Sequence, residues 1–103
     1  MLAIGSQSDL IVFFNNGSSF TSSQTYPFGY STIWAIDITA DGKWIAVAGA
    51  NTEEIIKNKV SVFTYQHHDN TYRELQSFFG ENTGAYAVTI SHDHQWLVWG
   101  EGN

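Results

Sequence analysis

The sequence matches itself. The segment Trp34-Ala35-Ile36-Asp37-Ile38-Thr39-Ala40-Asp41-Gly42-Lys43-Trp44-Ile45-Ala46-Val47 aligns with Tyr86-Ala87-Val88-Thr89-Ile90-Ser91-His92-Asp93-His94-Gln95-Trp96-Leu97-Val98-Trp99, and Phe28-Gly29 and Phe79-Gly80 precede the two copies. Met1-Leu2-Ala3-Ile4 fills the place of Trp44-Ile45-Ala46-Val47 one unit earlier. Repetition narrows the choice of fold sharply, because a short recurring unit cannot bury its apolar surface alone and must stack on its neighbours. Within the unit, short runs rich in Val, Ile, Phe, Trp, Tyr and Thr alternate with clusters of Gly, Asn, Asp and Ser, the pattern of strands and tight turns. The spacing predicts strands over 2–6, 9–14, 19–26, 33–39, 44–50, 60–65, 72–78, 86–91 and 95–100, with Pro27 between two of them.

The unit therefore holds four short strands in roughly 43 residues, the content and period of a propeller blade. The second copy is longer because Asn51 to Lys59 are inserted between its second and third strands, where the first copy has only Gln7-Ser8. Leu10 to Phe14 and Trp44 to Ala48 are nearly continuous apolar runs, as expected of strands covered on both faces. The fold expected is all-β, a partial β-propeller built from four-stranded antiparallel blades, with 1–26 ending one blade, 27–78 forming a full blade and 79–103 starting the next.

The stretch Ile36-Asp37-Ile38-Thr39-Ala40-Asp41-Gly42-Lys43-Trp44-Ile45-Ala46 resembles the WD-repeat pattern, in which a first strand leads through a Ser-Pro-Asp-Gly-Lys-like turn into a second. Leu2 to Phe13 is similar to the second and third strands of such a repeat, with Asp9 matching the turn Asp and Ser6 the strand Ser. The resemblance implies that 33–39 and 86–91 are innermost strands beside a central channel. The sequence departs from the family at its signature dipeptides. Gly29-Tyr30 and Gly80-Glu81 stand where Gly-His is usual, and Phe13-Phe14 and Phe63-Thr64 where Trp-Asp is usual. The family's buried His, Ser/Thr, Trp and Asp network therefore has no complete counterpart, and other propellers with an Asp-Gly turn, such as sugar-lactone hydrolases and quinoprotein-like blades, share what remains.

Ten acidic against four basic residues give a formal charge of −6, and no stripe of Lys or Arg is present to neutralise phosphates, so nucleic acid is not an expected partner. With no cysteine there is no disulfide framework or thiolate chemistry. No apolar run reaches the length of about 20 residues that a membrane helix needs, and Met1-Leu2-Ala3-Ile4 is too short for a signal core. The reading is a soluble, cytoplasmic chain.

Catalysis needs a nucleophile with a base, paired carboxylates, or a metal cluster. Glu53 and Glu54 are adjacent, so in an extended segment they point apart; Ser18-Ser19 and Ser22-Ser23 form no nucleophile elbow; the glycines at 80, 84, 100 and 102 make no phosphate loop. Asp41-Gly42 reads as a turn, and Asp93-His94 as the same turn made longer or strained by its missing glycine. His67, His68, His92 and His94 lie in two turns that blade connectivity puts on one face, opposite the insertion. As exposed turn residues they complete no ligand set, and neither a metal nor another cofactor is expected.

The resemblance implies a non-enzymatic protein-interaction scaffold, completed by the rest of the propeller in a longer chain or by oligomerisation. Partner contacts are expected from loop side chains, with Glu53, Glu54, Ile55, Ile56, Tyr30 and Asn82 as candidates. The alternative is a propeller enzyme such as a lactonase-like hydrolase, for which Asp37 and Thr89 are the polar groups on the presumed innermost strands.

Overall fold

The computed structural model describes residues 2–5, 9–15, 17–28, 32–50, 58–80 and 84–102. These form nine strands: β1 (Leu2–Gly5), β2 (Asp9–Asn15), β3 (Phe20–Pro27), β4 (Thr32–Ile38), β5 (Trp44–Ala50), β6 (Asn58–Gln66), β7 (Thr71–Gly80), β8 (Gly84–Ile90) and β9 (Leu97–Gly102). All neighbours are antiparallel, in sheets of order β1-β2-β3, β4-β5-β6-β7 and β8-β9. The chain is thus all-β, as the strand pattern predicts.

The four-stranded sheet is sandwiched between the other two. On β5, Ile45 and Val47 point one way and Ala46 and Ala48 the other, because successive side chains of a strand alternate. The large residues meet Leu10, Val12, Phe28 and Phe63 in the core shared with the first sheet. The alanines, with Val60 and Val62 on β6, meet Ala85 and Ile90 of β8. Small side chains on that face let β8 approach closely. Each fully buried Phe or Leu in these layers contributes on the order of 1.5–3 kcal/mol, and Phe28, Phe63, Leu10 and Ile45 are all buried.

The sheets repeat down to their irregularities. The β2–β3 ladder slips between Val12 and Phe13 and the β6–β7 ladder between Val62 and Phe63, at the same point of the unit. The β4–β5 ladder slips between Ile33 and Ala35, and the β8–β9 ladder between Ala85 and Ala87. Trp34 and Tyr86 are the extra residues of these last two bulges, and they are equivalent in the repeat.

Most boundaries shift by one or two residues from the sequence reading, and four places show what the structure does there. Thr39 leaves β4 to form the turn, where its amide donates to Trp44 O at 3.1 Å. Gln95 and Trp96 stay outside β9, and both amides donate to Ser91 Oγ, at 3.2 and 2.9 Å. Asn58 and Lys59, assigned to the insertion, are already paired in β6, opposite Ala50 and Gly49. Pro27 belongs to β3, opposite Asp9; β3 is an edge strand, so the missing N–H breaks no ladder.

Candidate partner-binding surface

Antiparallel connectivity divides the molecule into two ends. At one end are the hairpin turns of β4–β5, β6–β7 and β8–β9; at the other are the strand termini flanking residues 29–31, 51–57 and 81–83.

The β4–β5 and β8–β9 turns are built alike. Asp41 Oδ1 accepts from Thr39 Oγ1 at 2.6 Å and from Lys43 N at 2.9 Å; Asp93 Oδ1 accepts from Ser91 Oγ at 2.6 Å and from Gln95 N at 3.0 Å. Gly42 and His94 then take left-handed backbone, φ 73° and 64°, and their amides close on Thr39 O and Ser91 O. The hydrogen bonds close both turns at equivalent residues, the β8–β9 connection runs one residue further before its strand begins, and the missing glycine shows as positive φ at His94. These bonds hold the Asp41 and Asp93 carboxyls below the usual carboxylate range, the hydroxyl bonds from Thr39 and Ser91 contributing most. The Thr71 hydroxyl does the same for Asp69 in the β6–β7 turn.

All four histidines lie at this end, on two sides of the β4–β5 turn. His92 Nδ1 accepts the Ala40 amide at 2.7 Å, and His94 Nε2 stands 3.1 Å from Asp41 Oδ2 with its ring over Trp44. His67 sits on the other side, its ring 5.0 Å from Tyr65, beside a cavity of about 210 Å³ lined also by Phe14, Lys43 and Tyr72. Tyr72 fixes that side by donating its hydroxyl to Gly42 O, and burial pushes its phenol well above the ordinary tyrosine value. Among the described residues no three His, Asp or Glu side chains gather as a metal-holding group.

Asp37 on β4 and Thr89 on β8 meet each other. Asp37 Oδ2 accepts from Thr89 Oγ1 at 3.0 Å and from Ile90 N at 2.9 Å, tying β4 to β8. The carboxylate is thus engaged in holding two sheets together.

At the opposite end, Ala50, Asn58 and Gly80 lie side by side across β5, β6 and β7, and Lys59 Nζ donates to Phe28 O at 2.9 Å from 4.5 Å above the Phe28 ring. Here Trp34 and Tyr86 stand in contact, ring centroids 5.5 Å apart and planes at 60°, yet 54% and 45% exposed. The Tyr86 ring rests on glycines: a Cβ at Gly84 would lie 2.8 Å from it and one at Gly102 2.9 Å. Glu101 is paired with Ala85, the residue before Tyr86, and its carboxylate accepts from Asn58 Nδ2 at 3.1 Å and Trp99 Nε1 at 2.9 Å.

The sequence-derived candidates Tyr30, Glu53, Glu54, Ile55, Ile56 and Asn82 lie outside the described residues. The described strand termini that flank those positions, among them Ala50, Asn58, Gly80 and Gly84, lie at the same end as Trp34 and Tyr86. Sequence reasoning placed Trp34 and Tyr86 in the repeat without assigning them to the surface; the available signal was their equivalence as large aromatics ahead of an Ala. No helix among the described residues is long and apolar enough to cross a membrane. No family model matches this sequence, and no curated protein matches it.

Proposed function

We propose that the chain is part of a β-propeller of the WD-repeat kind and serves as a non-enzymatic scaffold that holds a protein partner. The observation that carries this reading is the recurrence of one sheet unit with its bulges at the same positions, successive units packed face to face and their first strands, β4 and β8, joined through Asp37. Such stacking gives a rigid frame whose loops and first strands present side chains without changing the frame. The function follows from the site and not from the fold alone, and here the site is the exposed Trp34–Tyr86 pair. A partner would be another protein, bound at that end.

Deleting residues 51–57 tests the reading. Partner capture by the full protein is expected to weaken while the β5–β6 ladder stays protected from amide exchange; unchanged capture by the deleted form removes this end from partner binding. Calorimetric titration with calcium and zinc tests the hydrolase alternative, for which saturable, stoichiometric binding would count.

A further inference from the structure

We infer that the Trp34–Tyr86 pair is a receptor for a guanidinium group, so that the partner presents an arginine side chain to it. This deepens the scaffold reading and rests on it.

Bulges re-aim side chains, and they recur next to functional sites. Here two bulges at equivalent places in consecutive units turn an aromatic ring out of each first strand and bring the two rings together in the open. An exposed Trp alone is ordinary surface. This pair is built: Tyr86 lies on Gly84 and Gly102, where any side chain would collide with the ring, so the platform depends on glycine at both positions.

The faces of Trp and Tyr are electron-rich and attract a cation within about 6 Å of the ring centre, Trp most strongly. The chain already uses this interaction internally, with Lys59 Nζ over Phe28. Charge points the same way. The chain carries −6 overall, which draws basic partners. Arginine fits better than lysine because its guanidinium is planar, weakly hydrated and able to stack on rings, whereas a lysine ammonium is a strongly hydrated point charge.

The test uses a dye-labelled, end-blocked tetra-arginine peptide, followed by fluorescence anisotropy at low ionic strength against the 103-residue chain at concentrations where sedimentation shows a monomer. Its citrulline and lysine counterparts serve as probes of charge and of planarity. Binding of the arginine peptide is expected to weaken about tenfold in Trp34→Leu and in Tyr86→Leu, to survive in Trp34→Tyr, and to be absent for citrulline and weaker for lysine. Because both rings are exposed, the variants should keep the Ile90 amide protected, which separates loss of site from loss of fold. No binding, undiminished binding to either leucine variant, or equal affinity for the lysine or citrulline peptide would overturn the inference. If capture of the natural partner still depends on 51–57 in that event, the scaffold reading stands without it.

Discussion

Gly42 and His94 hold the same place in two copies of one turn, and both adopt left-handed backbone. For a residue with a Cβ this conformation costs roughly 1–2 kcal/mol. At His94 the ring contact with Trp44 works against that strain; an alanine at position 42 has no ring to make such a contact. Gly42→Ala is therefore expected to destabilise the protein by about 1 kcal/mol, read from the midpoint of chemical denaturation. The turn carboxylates set the response to acid. Asp41, Asp69 and Asp93 ionise more readily in the folded chain than in the unfolded one, because hydroxyl and amide donors hold their charged forms. The sign follows from linkage: the unfolded state binds these protons first as pH falls, so their stabilisation is complete above the ordinary carboxylate value near 4 and is lost below it. Thermal unfolding should therefore shift to lower temperature as pH drops from about 5 to about 3, and the shift should shrink in the triple variant Asp41→Asn, Asp69→Asn, Asp93→Asn. An unchanged slope would show that other groups control acid stability.

Between elements, one carboxylate joins two sheets. Asp37 Oδ2 takes the Ile90 amide and the Thr89 hydroxyl, and removing it leaves a buried strand amide without that acceptor, at a cost of about 1–3 kcal/mol. Asp37→Ala should speed amide exchange at Ile90 and loosen β8–β9 against β4–β5, while Asp37→Asn, which retains an acceptor oxygen, should do so less. Equal protection of Ile90 in both variants would show that Ala46, Val62 and Ile90 hold the sheets by apolar contact alone. The strands themselves were legible in the sequence, since each is an apolar run between turn residues, and the repeat made the equivalence of Asp41 and Asp93 visible. The role of Asp37 was not, because a carboxylate facing a channel and one capping a neighbour's amide look the same in a strand pattern. The bulges at Trp34 and Tyr86 were hidden for a related reason: an extra residue changes register and direction without changing composition. Had the alternation been followed without them, both rings would have been assigned to the wrong face.

At the scale of the molecule, the three sheets are unequally covered. The four-stranded sheet is covered on one face by three strands and on the other by only two. Beyond β9 lies a groove of about 190 Å³ between sheets, bordered by Val62, Phe78, Ile90 and Leu97. Leu75 is 58% exposed, Trp96 71% and Val98 56%. Leu75 is the extra residue of the β6–β7 bulge, Val98 lies on β9, and Trp96 immediately precedes β9. An edge strand with apolar side chains and unpaired backbone groups is a template for another strand, and natural proteins blunt such edges with charge. The edge of β9 carries none between Leu97 and Gly100. In isolation the 103-residue chain is therefore expected to self-associate through β9, giving sedimentation coefficients that rise with concentration and a binding site for an apolar dye. Val98→Lys places a charge on that edge and should restore a concentration-independent monomer with less dye bound. The same substitution on an exposed position costs the fold little, so cooperative unfolding should persist. A monomer peak for the unaltered chain, with no dye response, would mean that the groove is closed by the chain's own side chains and that β9 is not an adhesive edge.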